Sequence, residues 1–214
     1  MTKQFITVEG NIGAGKTTLS KMLAEHFKAN LILEQFADNP FLPKFYKDKE
    51  KYAFQLELSF LADRFKQLKK MLLGRDLFSS TTISDYLFIK SKIFAKVNLP
   101  QDEYELYESL FDIIYPNLPK PDLLIFLHAP VHKLKKNISA RNRSYEQEIA
   151  DEYLITIEKA YNNYLKSAPC PVLMIDTRET DFMNNEIQFN ELLIHLDREY
   201  ENGKHFISFS DLSY

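Results

Sequence analysis

The 214-residue sequence has only five glycines, and three of them, Gly10, Gly13 and Gly15, fall in one short stretch. So little glycine elsewhere argues against flexible linkers and for a single domain over residues 1–214. Cysteine occurs once, at Cys170, between Pro169 and Pro171. A lone cysteine cannot close an internal disulfide, which suits the cytoplasm. Cys170 is read as a structural residue rather than a catalytic thiol. No apolar run reaches the roughly 18 residues of a membrane span, so no membrane partner is expected. Met1-Thr2-Lys3-Gln4 leads straight into the first predicted strand, and no signal peptide is expected. The net charge is −3, so there is no general basic surface for nucleic acid and any anion site must be local. No arginine precedes Arg64. What is present, 45% hydrophobic and 27% charged residues, is ordinary for a soluble domain with a substantial core.

The glycine-bearing stretch is Gly10-Asn11-Ile12-Gly13-Ala14-Gly15-Lys16-Thr17-Thr18. It matches the phosphate-loop pattern G-x-x-x-x-G-K-[ST] at every fixed position. It also follows the apolar run Phe5–Val8 and opens a helical pattern at Leu19, Met22, Leu23 and Phe27. Glycine lets the backbone wrap closely and aim N–H groups at phosphate oxygens, and the helix start adds its positive end. Lys16 is expected to reach the β- and γ-phosphates, and the Thr17 hydroxyl to ligate Mg²⁺. The motif implies a nucleoside triphosphate as donor. It does not name the acceptor.

Along the chain, strands are expected at about 4–9, 31–33, 81–86, 122–127 and 172–176. The second, Leu31-Ile32-Leu33, reads as buried on both faces. Helices are expected at about 15–28, 52–73, 88–97, 102–115, 130–141, 146–166 and 184–199. The longest carries Phe54, Leu58, Leu61, Phe65, Leu68 and Leu72 on one face and ends at Gly74. Asp102 is the expected N-cap of its helix, with Glu105 three residues on. Residues 202–214 read as a polar tail with weak strand tendency. Alternating strands and helices argue an α/β fold with a five-stranded parallel sheet and helices on both faces. Ligands of such sheets lie at the carboxyl ends of the strands, where Glu9, Glu34, Asp85, His128 and Asp176 fall.

Charge narrows the acceptor. A nucleoside monophosphate is usually held by a bidentate arginine. Strand two ends instead in Glu34, which repels a phosphate but can accept a proton from a neutral hydroxyl. The sequence therefore leans towards an alcohol acceptor.

Over nearly its whole length the chain resembles the deoxynucleoside kinase family, in its bacterial deoxyadenosine and deoxyguanosine kinase branch. The similarity lies in residues 10–18, Glu34, Phe54-Gln55, Asp63-Arg64, Ile93-Phe94-Ala95 and Arg141-Asn142-Arg143 before Glu146. The resemblance implies a P-loop kinase with an arginine-containing lid at about 137–148. It implies that Glu34 takes the 5′-hydroxyl proton and that Gln55 reads the base. Arg64 supports the base contact or pairs with Asp63 or Asp38. Tyr46 and Glu146 hold the 3′-hydroxyl, although Tyr46 lies two residues nearer to Gln55 than the family tyrosine does. Phe94 stacks on the base, and Phe36 or Phe41 helps to enclose it. Arg141 and Arg143 close on the triphosphate, with Lys136 a weaker candidate. The reaction implied is ATP-dependent phosphorylation of a purine deoxynucleoside for salvage, deoxyadenosine ahead of deoxyguanosine. A homodimer and inhibition by the end-product triphosphate are further implications.

One departure stands out. The family has acid, Arg, Ser at the end of strand three, and here the residues are Ser84-Asp85-Tyr86-Leu87. Aligning on the acid makes Asp85 a Mg²⁺ ligand and puts Tyr86 at the arginine position. Lys90, four residues after Tyr86, is expected to supply the missing positive charge. Two other readings stand beside the leading one: a thymidylate-type monophosphate kinase, and a non-enzymatic nucleotide switch.

Overall fold

A run of six buried residues, Phe5–Gly10, forms β1 at the centre of the sheet. The computed structural model describes residues 3–35, 39–73 and 81–209. After β1 come α1 (Lys16–Phe27), β2 (Asn30–Ile32), α2 (Leu42–Lys47), α3 (Lys49–Leu73) and β3 (Thr82–Ser84). Next are α4 (Lys90–Asn98), α5 (Gln101–Ile114), a 3₁₀ turn (Tyr115–Asn117), β4 (Leu123–His128) and α6 (Val131–Arg141). A second 3₁₀ turn (Ser144–Glu146) leads to α7 (Asp151–Tyr164), β5 (Pro171–Asp176), α8 (Glu186–Leu196) and β6 (Gly203–Ile207).

Among the described residues the sheet is six-stranded, in the order β2-β3-β1-β4-β5-β6, and every pairing is parallel. One strand more than expected comes from the polar tail: Gly203–Ile207 pairs with β5 in register, Ile175 opposite Ile207. Only Ile207 of β6 is buried, so this edge strand has no apolar run to reveal it. The opposite edge corrects a second expectation. β2 is short and pairs with β3 alone, and Leu31 is exposed rather than buried on both faces. An edge strand lies at the margin of the layers that cover the sheet, so one of its faces can remain open to solvent.

The central strands alternate sides with period two. Ile6, Val8, Leu123, Ile125 and Leu127 pack with α1, α6 and α8 on one face. Leu124 and Phe126 pack with Ile93 of α4 and Ile157 and Tyr161 of α7 on the other. A third cluster joins α2, α3 and α5 beside the sheet through Phe45, Leu56, Leu61, Tyr107 and Phe111. α3 turns a different face inward than its apolar residues suggest. Ala53, Leu56, Glu57, Leu61, Arg64 and Leu68 are buried, whereas Phe54, Leu58 and Phe65 are half-buried. The helix buries a glutamate and an arginine because its inner face borders a cleft as well as a core. Gly74 and the side chain of Leu72 lie outside the described residues. Asp102 is not a cap: α5 starts at Gln101 with Pro100 as N-cap, and Asp102 sits in the first turn. Among the described residues no helix is long and apolar enough to cross a membrane. Cys170 is free and buried, and burial pushes its thiol up to about 11, which leaves it inert at neutral pH.

Candidate active site

The phosphate loop is held by two close approaches. A Cβ on Gly10 would stand 2.5 Å from the Leu127 carbonyl oxygen, and one on Gly13 would stand 2.7 Å from that of Leu134. Glycine at these positions therefore lets the loop lie against β4 and α6. α1 begins at Lys16 with no side-chain cap, so its first N–H groups face outward for an anion. Asn137 of α6 donates to the Gly13 carbonyl at 2.8 Å and ties the loop to the segment carrying Arg141. The Lys16 ammonium donates to the carbonyls of Gly10 (2.9 Å) and Asn11 (2.8 Å). Loss of water around it, and then the nearby Lys90 charge, lower its pKa to about 8 against the pull of Glu9, Glu34 and Asp85.

Two strand-end carboxylates meet this loop. Asp85, just after β3, accepts from the Thr17 hydroxyl at 2.6 Å through Oδ2 and from the Glu34 backbone N–H at 2.7 Å through Oδ1. A hydroxyl and a carboxylate this close make a two-oxygen set suited to Mg²⁺, which takes its remaining ligands from phosphate and water. Glu34 itself is clamped. Arg64 donates to Oε1 from Nε at 2.9 Å and from Nη2 at 2.5 Å, and Lys90 donates to Oε2 at 2.6 Å. Burial alone would push the Glu34 carboxyl up, but Lys90 and Arg64 outweigh it and hold it well below the carboxylate range. Arg64 is buried on α3 and also donates to the Ser91 hydroxyl at 2.7 Å. Its partner is thus Glu34 and not Asp63, while Asp38 lies outside the described residues.

The other strand-end acids serve elsewhere. Glu9 accepts from the N–H groups of Gly10 and Leu87, both at 2.9 Å, joining β1 to the approach to α4. His128 pairs with Glu158 at 2.8 Å, and Asp176 with Arg178 at 2.7 Å.

A cleft opens beside Lys16 and is lined by Glu34, Tyr46, Arg64, Lys90, Phe94, Arg141 and Glu146, among others. Tyr46 stacks on Tyr145, with centroids 6.0 Å apart. Glu146 is buried and accepts from Arg141 and, at 3.1 Å, from Arg143. Lys90 lies over the Phe94 ring at 5.4 Å. A second, wider cleft continues past the loop along Lys16, Thr17, Lys136, Arg141 and Arg143 to Arg178. Arg141 lines both clefts.

Two expected base-site residues fall elsewhere. Gln55 is exposed and does not line the cleft, because the turn of α3 points it outward. Phe41 packs at the margin of the third cluster instead. Phe36 lies outside the described residues. Tyr86 is buried among apolar residues and also stays out of the cleft. In place of Gln55 the inner face of α3 offers Glu57 and Phe60, facing Asn98 of α4 and Tyr153 of α7. Spacing carried that signal. Glu57 is seven residues before Arg64, two helical turns, whereas Gln55 is nine.

Known proteins resemble this chain along most of its length. The family model described as deoxynucleoside kinase matches residues 6–200. The chain is 35% identical over 203 residues to a deoxyguanosine kinase of Bacillus subtilis, covering 91% of this chain and 97% of the relative. It is 33% identical over 210 residues to a deoxyadenosine kinase of Lactobacillus acidophilus, covering 92% and 96%. Among solved structures, deoxyadenosine kinase from M. mycoides with bound dATP superposes with a TM-score of 0.78 at 27% identity, covering 91% of this chain and 100% of that one. With a family model spanning residues 6–200 and relatives this similar along their whole length, the chain belongs to the deoxynucleoside kinase family of phosphotransferases.

Proposed function

We propose that the protein transfers the γ-phosphoryl group of ATP to the 5′-hydroxyl of a purine deoxynucleoside, giving the 5′-monophosphate for nucleotide salvage. The observation that carries this reading is Glu34. It is an ionised carboxylate, clamped by Arg64 and Lys90, in the cleft that Lys16 also lines. A carboxylate there repels an acceptor phosphate and orients an acceptor hydroxyl. In a loose transition state it receives the proton late, so a low pKa is no obstacle. The names of the relatives, deoxyguanosine and deoxyadenosine kinases, support a purine acceptor.

Lys16 and the backbone N–H groups of residues 10–18 hold the β- and γ-phosphates. Thr17 and Asp85 would hold Mg²⁺, which when bound neutralises charge on those phosphates. Arg141 and Arg143 form the lid over the triphosphate. Tyr46 and Glu146 hold the 3′-hydroxyl, and Phe94 stacks on the base. A panel with radiolabelled ATP tests the reaction: deoxynucleosides, deoxynucleoside monophosphates, and no acceptor. Label transfer to deoxynucleosides is expected, and transfer only to a monophosphate overturns the reading.

Lys90 supplies the positive charge missing at Tyr86. Its 2.6 Å contact with Glu34 and its place beside Lys16 support that role. Lys90→Ala is expected to lower kcat at least about tenfold, the scale of a lost charged contact. Wild-type turnover in the variant would remove Lys90 from the mechanism.

The protein acts as a homodimer through α5. Leu106, Leu110 and Ile113 form one exposed apolar row on that helix, and Ile113 is 71% exposed. The outer face of α3, by contrast, carries exposed Lys51, Lys66, Lys69 and Lys70. Ile113→Lys is expected to halve the mass in solution measured by light scattering. A variant that keeps the wild-type dimer mass would move the interface elsewhere.

A further inference from the structure

The cleft wall contains a carboxyl group that the phosphoryl-transfer machinery does not use. Glu57 is buried on the inner face of α3 and lines the cleft. Its Oε1 accepts from Asn98 Nδ2 at 2.7 Å. Its Oε2 is closed off from solvent and has no partner among the described residues. An unsatisfied buried carboxylate oxygen is costly, and a pair of N–H donors arriving with a ligand relieves that cost.

We infer that Glu57 reads the Watson–Crick edge of the base and selects guanine over adenine. This rests on the proposed function, since it needs a purine deoxynucleoside in the cleft. An ionised carboxylate offers two acceptors side by side and no donor. Guanine presents N1–H and its 2-amino group side by side, two donors that match it. Adenine presents an acceptor, N1, beside its 6-amino donor. Its N1 lone pair would face a carboxylate oxygen, and only a protonated Glu57 matches it. Selection against a mismatched buried polar pair is stronger than selection by shape. The assignment reverses the adenine-first order that the family resemblance implied.

The surroundings make the reader pH-dependent. Burial pushes the Glu57 carboxyl up to about 7, against Asn98, Arg64 and Lys90, while the Glu34 charge adds to the rise. The remaining titratable neighbours are Tyr46 of α2, Tyr107 of α5 and Tyr153 of α7, all shifted upward by burial and neutral at physiological pH. Glu57 is therefore the group on this face of α3 that changes charge near neutrality, while Lys16, lowered to about 8, faces the ATP phosphates common to both substrates. Guanine binding draws on the ionised form and gains as pH rises through about 7, and adenine binding gains as pH falls.

The test measures kcat/KM for deoxyguanosine and deoxyadenosine with ATP from about pH 6 to about pH 8.5, in wild type and Glu57→Gln. ATP chemistry is common to both substrates and cancels in their ratio. The wild-type ratio is expected to favour deoxyguanosine at least about tenfold at the alkaline end and to narrow towards the acid end. Glutamine offers one acceptor and one donor, which fits adenine. Glu57→Gln is expected to lower the ratio at least about tenfold and to flatten its pH dependence. A wild-type ratio that stays flat with pH overturns the inference, and so does a Glu57→Gln enzyme with the wild-type ratio. The pH series needs no variant, so poor folding of Glu57→Gln leaves the question decidable. Absence of label transfer to any deoxynucleoside in wild type would overturn the proposed function itself, a result distinct from an unmoved ratio between two working substrates.

Discussion

Glu34→Gln is expected to lower kcat for the deoxynucleoside by about 10²- to 10⁴-fold, the range for loss of a positioned general base. The amide keeps the shape of the side chain and loses the charge that orients the attacking hydroxyl. Stability should fall as well. Arg64 and Lys90 both direct donors at this carboxylate, and its side chain is only 11% exposed. Removing one partner from a buried ion cluster costs about 3–5 kcal/mol, because the charges left behind stay desolvated. The two effects separate in a double-mutant cycle. Glu34→Gln with Lys90→Met removes one orphaned charge and should recover part of the melting temperature, while kcat stays low. Recovery of kcat along with stability would reduce Glu34 to a structural role. The pH dependence has a definite sign. Arg64 and Lys90 hold Glu34 below its ordinary 4.5, so its contribution to stability is complete above that value and fades as pH falls below it. An acid limb of kcat near neutral pH therefore comes from another group.

Much of this site could be read from the sequence, and what could not has a physical explanation. The phosphate loop was legible because the pattern fixes backbone geometry locally, in one stretch between a strand and a helix. Glu34 and Asp85 were legible as acids at the ends of apolar runs. Their joining was not, since the 2.7 Å contact from the Glu34 N–H to Asp85 depends on β2 and β3 lying side by side. β6 was illegible because an edge strand with one buried residue carries no hydrophobic period. The base-site error on α3 is the most instructive. Phe54-Gln55 resembled the family pair, yet Tyr46 lay two residues too near to Gln55, and Arg64, nine residues on, lay off its face of the helix. Helical phase resolves both at Glu57, which shares the inner face with Arg64, while Gln55 turns to solvent. Local resemblance lost to the geometry of the helix.

Lys16→Met is expected to weaken ATP binding and to lower kcat by about 10²- to 10³-fold, the cost of one preorganised group facing developing charge. Methionine keeps most of the apolar stem, so the loop keeps its packing while the ammonium is lost. A second signature distinguishes this from general disruption of the loop. In the free protein, desolvation and the Lys90 charge lower the Lys16 pKa to about 8. Bound phosphate oxygens favour the charged form and draw the pKa back up. Above about pH 8 the free protein has lost that proton and the complex has regained it, so binding must take one up. ATP affinity should then fall by up to about tenfold per pH unit above that point and stay level just below it. The phosphate groups do not confuse the reading, because their last ionisation lies at about 6. Calorimetric titrations in buffers of different ionisation enthalpy count the proton directly. Lys16→Met should bind weakly with no pH dependence in this window. A wild-type affinity that stays level through pH 8 and above would mean that the ammonium holds its proton in the free loop, where it already donates to Gly10 and Asn11. The stability of the free protein offers an independent check of the same sign. The charged form is the disfavoured one, so removing its proton should stabilise the fold between about pH 8 and the ordinary lysine value of 10.5, and the Lys16→Met protein should lack that rise.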